Sequence, residues 1–184
     1  MGRVSEPGPD NAKRLLGSEF PEDTGDDDPR LRSALAAYDA AGSPQERRSL
    51  LPTCLRALQG ARLLVPVVAV LGEAEVGADG LARDKSSDMA AVLLTGRDGR
   101  TALLAFTHTA SMQAWDPEAR PVPVRAQLAA QAAIQEGAAA LLVDVAGPTR
   151  LVVEGVDLEG LARGWALATV AGQTAWVREG TSPA

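Results

Sequence analysis

Residues 88–115, DMAAVLLTGRDGRTALLAFTHTASMQAW, constrain the fold more than any other stretch of the chain. Two apolar runs, 89–95 and 101–106, flank Gly96-Arg97-Asp98-Gly99, and an Asp-Gly pair accepts the positive φ that tight hairpin turns require. They predict an antiparallel strand pair. Thr107 or Thr109 can then cap a short helix through Trp115, which Asp116-Pro117 ends. The start of that helix carries His108, the single histidine of the sequence.

The rest of the chain supplies partners for this hairpin. Residues 62–71, RLLVPVVAVL, form a nearly continuous aliphatic run, which predicts a strand covered on both faces, with Pro66 where no ladder donor is needed. Upstream, Leu31, Leu35 and Tyr38 share one helical face, and that helix should stop at Gly42. Ser43-Pro44-Gln45-Glu46 gives an N-cap, a first-turn proline and a capping-box glutamate. Leu50, Leu51, Cys54, Leu55 and Leu58 then form an apolar stripe, kinked or divided at Pro52. Downstream, Pro121-Val122-Pro123-Val124 reads as a short edge strand and 125–136 as a helix closed by Gly137. Residues 138–145 and 150–154 read as strands around Gly147-Pro148. Asp157 is expected to cap a last helix bearing Leu158, Leu161, Ala162 and Trp165, and 174–177 has local strand character.

This order predicts an α+β fold: a mixed β-sheet of about five to six strands with helices packed on it, preceded by a helical N-terminal extension. The expected organisation is a disordered acidic tail over 1–29, a helical extension over 30–60, the main domain over 61–169 and a C-terminal tail over 170–184. The tail assignment at the N-terminus rests on charge. Residues 1–29 hold eight acids against Arg3, Lys13 and Arg14, a net of -5 out of -6, and so leave -1 for the other 155 residues. A nearly neutral body with an acidic tail offers no basic footprint, so neither nucleic acid nor an anionic membrane is an expected partner.

Hydrophobic residues make up 46% of the chain, enough for a core without disulfide or metal, and aromatics only 3%, so that core should be aliphatic. Arginine outnumbers lysine 16 to 2, as in alanine-rich chains from GC-rich bacteria. Cys54 is alone on a buried stripe, which excludes an intrachain disulfide and fits a reducing cytoplasm. The longest apolar run is far short of the ~20 residues that span a bilayer, and no secretory signal is visible at the N-terminus.

Candidate chemistry is sparse. His108 is the one side chain able to act as a histidine base, and Ser111 lies three residues on, but no nucleophile elbow accompanies them. Glycine-rich phosphate motifs are absent, which argues against nucleotide enzymes. Glu73, Glu75, Asp79 and Asp84 in the loop 72–87 lack the alternating register of a calcium loop, so no metal is expected. Cys54 should be a packing residue. Trp115, Trp165 and Trp176 could form a stacking surface, but Trp115 and Trp165 fall on predicted helix faces and read as core or interface anchors. The residues singled out as a surface or pocket are Thr107, His108, Trp115 and Gly147.

Several segments in order resemble the N-terminal domain of the SseB family. Leu64-Val65-Pro66-Val67 is similar to its first strand, Asp88-Met89 followed by Leu94-Thr95 to its second, and Asp98-Gly99-Arg100 to the turn. Residues 103–107 resemble the family's L-P-V-F-T strand end, Trp115 follows at the familiar distance, and Ala146-Gly147-Pro148 resembles a later turn. His108 stands where serine is common, and Val145 where an N-P or D-P pair often precedes A-G-P. The resemblance covers roughly 60–165 and implies no catalytic residue and no cofactor. It implies a non-enzymatic, cytoplasmic protein-interaction or regulatory module with an unknown protein partner, and leaves a homodimer open. The alternative expectation is a small-molecule-binding or hydrolytic enzyme with its site near His108 and the strand ends.

Overall fold

The computed structural model of the chain describes residues 3–5, 20–71, 87–170 and 173–178. In order they form β1 (Arg3–Ser5), α1 (Pro29–Asp39), α2 (Pro44–Gln59), β2 (Arg62–Leu71), β3 (Ser87–Ala91), β4 (Leu93–Thr95) and β5 (Thr101–Ala105). There follow α3 (Thr109–Trp115), β6 (Arg120–Arg125), α4 (Ala126–Gln135), β7 (Ala140–Val143), β8 (Leu151–Glu154), α5 (Gly155–Ala162), β9 (Ala166–Val170) and β10 (Gln173–Val177). The fold is α+β. Strands run in both orientations, as expected of a mixed sheet.

Both N-terminal helices start at encoded caps. Asp28 Oδ1 accepts from the N–H groups of Arg30 and Leu31 ahead of α1. Ser43 Oγ accepts from Glu46 N–H, and Glu46 Oε2 accepts from Gly42 N–H. Such a cap stabilises a helix by about 1 kcal/mol. α2 runs through Pro52 without division. Leu31, Leu35, Cys54, Leu55 and Leu58 lie in the same hydrophobic cluster as Leu63, Leu103 and Leu141 of the strands. The two helices precede β2 as the expected N-terminal extension, and their apolar stripes are buried in the same core as the strands.

β2 is the hinge of the sheet system. On one side it pairs antiparallel with β6 in the register Leu63↔Val124 and Val65↔Val122. On the other it meets two strands in succession. Leu64 exchanges both backbone bonds with Phe106 at 2.8 Å, whereas residues 67–71 pair with β3. Pro66 lies between the two. Its carbonyl accepts from Val92 N–H (3.2 Å), but proline has no N–H to return, and the Val92 carbonyl accepts from Leu104 N–H of β5 (3.1 Å). At Val92 the chain thus leaves β2 and continues as β4 against β5, so the run expected as one strand over 89–95 is two.

The larger sheet has the order β1-β4-β5-β7-β8, with only β5 and β7 parallel among its pairs. α3, β6 and α4 make the crossover between those two. Alternation then sorts the faces. Leu103, Ala105, Leu141, Val143, Leu151 and Val153 pack with the helical core, while Leu104, Phe106 and Leu142 join Met112 of α3 in a smaller cluster on the opposite face.

A disordered acidic tail is expected over 1–29, but of its described residues Arg3–Ser5 pair with β4 and 20–28 bond to the domain, as described below. The last helix ends at Ala162. Gly164 takes φ 65, Gly164 N–H reaches Leu161 O (3.1 Å) and Trp165 N–H reaches Gly160 O (3.0 Å), a closed helix terminus that sends Trp165 out toward β9. Asp157 is not the cap; its Oδ1 accepts from Trp176 Nε1 (2.8 Å), which fixes the β9–β10 hairpin over α5 where a weak tail was expected. Glu73, Glu75, Asp79 and Asp84 lie outside the described residues. No described helix is long and apolar enough to cross a membrane.

Candidate functional site

The parallel pairing of β5 with β7 brings their C-terminal ends together, and the residues just beyond those ends form the only buried polar cluster among the described residues. Asp144 is its centre. Asp144 N–H donates to Ala105 O (3.0 Å) and extends the β5–β7 ladder by one rung, after which the chain turns at φ 53, the one positive φ of a non-glycine residue described. Aspartate tolerates this region better than most residues. The turn directs the carboxylate back under the start of α3.

There the carboxylate is almost fully coordinated by donors. Oδ1 accepts from Thr107 N–H (3.0 Å) and from Ser111 Oγ (2.7 Å), and Oδ2 accepts from Thr107 Oγ1 (2.6 Å). Ser111 Oγ also lies 2.9 Å from His108 O, so its one proton is shared. Thr107 Oγ1 gives its only proton to Asp144, and therefore the 2.9 Å contact with His108 Nδ1 has the imidazole as donor. This fixes the ring as the Nδ1–H tautomer when neutral. The chain Asp144, Thr107, His108 is thus a hydrogen-bonded relay that ends at a half-buried ring.

From the opposite side Arg62 holds the same turn. Its guanidinium donates to Thr107 O (2.9 Å) and to Asp26 O, and pairs with Asp23 Oδ2 (2.6 Å), both side chains being only 13% exposed. Thr109 N–H donates to Gly25 O (2.9 Å). The N-terminal segment is therefore bonded across the β5–α3 junction. Neither threonine caps α3 as expected: His108 occupies the cap position with no side-chain bond to the helix's N–H groups, Thr107 is held by Asp144, and Thr109 faces Gly25.

A cleft of about 300 Å³ opens over this cluster, with Leu35 and Ala36 of α1 on one wall and Gly147, Pro148 and Thr149 on the other. Thr107, His108, Ser111 and Asp144 line it, and Asp27 and Arg32 edge it. Of the residues singled out from sequence, Thr107, His108 and Gly147 meet here. Trp115 does not: its ring packs on Phe106 (centroids 5.7 Å apart) in the cluster on the other face of the sheet. Asp144 and Arg62 were missed. The signal for Asp144 was a lone acid ending the apolar run ALLVDV, which a strand can bury only if its partners are built in.

Cys54 is fully buried; its Sγ donates to Ala34 O (3.4 Å), and burial pushes its thiol up to about 11. It is shut away from the cleft and packs in the core. No group of three or more metal-ligating side chains occurs among the described residues. No curated protein and no solved structure matches the chain. A family model, the SseB protein N-terminal domain, matches residues 31–159, from the first turn of α1 into α5. The match spans well over half of the sequence, so this chain belongs to the SseB family.

Proposed function

We propose that the protein is a non-enzymatic, cytoplasmic protein-interaction module of a bacterium, with the cleft over His108 receiving part of a protein partner. The observation that carries this reading is the commitment of the polar cluster to itself. Asp144 takes three donors from Thr107 and Ser111, so the serine hydroxyl is directed at the carboxylate and not at the imidazole. A nucleophile needs its proton taken by the base beside it, which is a different arrangement. The cleft walls, from Leu35, Ala36 and Pro148, suit an apolar side chain from a partner, with His108 as a polar contact beneath it. Solitary, buried Cys54 and the bias to arginine accord with a bacterial cytoplasm.

A second reading has one observation in its favour. The Asp144–Thr107–His108 relay orients the ring and leaves Nε2 as its basic nitrogen, as an acid–base enzyme acting on a small molecule would use it. Two measurements separate the readings. Ala36→Arg places a long side chain at an exposed position on the cleft wall, and a protein captured from native lysate by the wild type should be lost by this variant. The wild type is also run on ester, phosphate-ester and nucleotide substrates, and turnover abolished by His108→Ala would replace the binding reading with the enzymatic one.

A further inference from the structure

Beyond the Gly147-Pro148-Thr149 turn, on the flank away from His108, lies a second hollow of about 310 Å³ with polar walls. Arg47 reaches it from α2 and Arg150 from the residue before β8. Neither guanidinium is in an ion pair among the described residues. Arg47 is stacked over the Tyr38 ring at 5.6 Å, which keeps its charge at the hollow, and half-buried Thr149 adds a hydroxyl donor to the same wall. Asp39 lines the hollow too. Two cations against one anion leave it with one net positive charge, and like charges on a shared concave wall raise the potential within it.

We infer that this hollow binds a phosphate group, free or as the monoester of a small molecule, between Arg47 and Arg150. Each guanidinium offers a fork of donors that matches two oxygens of one anion. A carboxylate turns its two oxygens squarely toward one fork only, whereas the three or more oxygens of a phosphate, each accepting more than one bond, face both forks and the Thr149 hydroxyl at once. The inference is independent of the cleft's role: the two hollows share only the turn 147–149.

The test is an amide-resonance titration of the full chain with inorganic phosphate and, separately, with phenyl phosphate, at ionic strength matched with potassium chloride. Saturable shifts at Arg47, Thr149 and Arg150 are expected, absent with chloride alone. Arg47→Gln and Arg150→Gln should each weaken binding by about tenfold or more, the effect of a lost charged hydrogen bond, and Arg120→Gln should not. Both tested arginines are exposed, so the variants keep the fold. Tighter binding of phenyl phosphate would identify the monoester as the ligand, and tighter binding of the inorganic ion the free anion. Shifts that fail to saturate at millimolar phosphate, or that survive both substitutions, would overturn the site.

Discussion

Removing the Asp144 carboxylate tests whether the cluster beyond β5 and β7 holds the fold together. In Asp144→Ala, Thr107 N–H, Thr107 Oγ1 and Ser111 Oγ all lose their acceptor. The two hydroxyls can adjust, since Ser111 Oγ already reaches His108 O and Thr107 Oγ1 can donate to His108 Nδ1 once the ring takes the Nε2–H tautomer. The amide cannot. A buried donor left without a partner costs about 1–3 kcal/mol, and the loss of the charged hydroxyl bonds adds about 1 kcal/mol more. Alanine held at φ 53 contributes about 1 kcal/mol of backbone strain. The expected loss is therefore about 3–5 kcal/mol, read as a lower urea midpoint at unchanged slope. Asp144→Gly relieves the strain alone and should be about 1 kcal/mol less damaging than alanine. Asp144→Asn keeps Oδ1 as acceptor and should lose about 1–2 kcal/mol. An alanine variant within 1 kcal/mol of wild type, or no worse than the asparagine variant, would refute the reasoning.

Three further outcomes are expected. A Cβ on Gly160 would clash with the Trp176 indole, so Gly160→Ala should destabilise the wild type and shift tryptophan emission. In a Trp176→Ala background the same change should instead stabilise by about 0.5–1 kcal/mol through helix propensity, and an effect of the same sign in both would remove the packing account. Burial raises the Cys54 thiol from 9.0 to about 11, so between those pH values the unfolded chain has lost a proton that the folded one keeps. Stability should fall as pH rises through that window and be independent of Cys54 titration below it, and the advantage of wild type over Cys54→Ala in urea midpoint, full below the window, should narrow there. Deleting residues 1–28 strips Asp23 from Arg62 and the Asp28 cap from α1, and should cost about 2–4 kcal/mol more than deleting residues 1–19; equal melting midpoints would show those contacts to be inert.

Local signals in the sequence were reliable where one short segment carries its own partners. Ser43 and Glu46 cap α2, and Gly137 closes α4 with Ala138 N–H on Ala133 O, because those bonds join residues a few positions apart. The hairpin over Asp98-Gly99 was legible for the same reason, with Gly99 at φ 80. The end of α5 was not. Trp165 continues the apolar helical spacing of Leu158 and Leu161, and the pattern concealed that Gly164 was the terminating residue. In the candidate site, Thr107 and His108 were visible as the start of a helix, but Asp144 joins them only through the parallel pairing that α3, β6 and α4 bridge. The segment 20–28 misled by its composition: seen as a charge run it is solvated tail, yet Asp23 and Asp28 each meet a particular donor.

The donor missing at Pro66 bears on how the chain folds. Since Val92 gives its N–H to β2 and its carbonyl to β5, the joint between the two sheets is closed only when both are in place. The rungs on either side of that joint connect β2 with β3, with Phe106 and with β6, all distant along the chain, so their loops must close before any of them is rewarded. Folding should accordingly be slow for a domain of this size and free of a stable half-formed sheet. Through one proline in the central strand, the two sheets are expected to unfold together, in one transition.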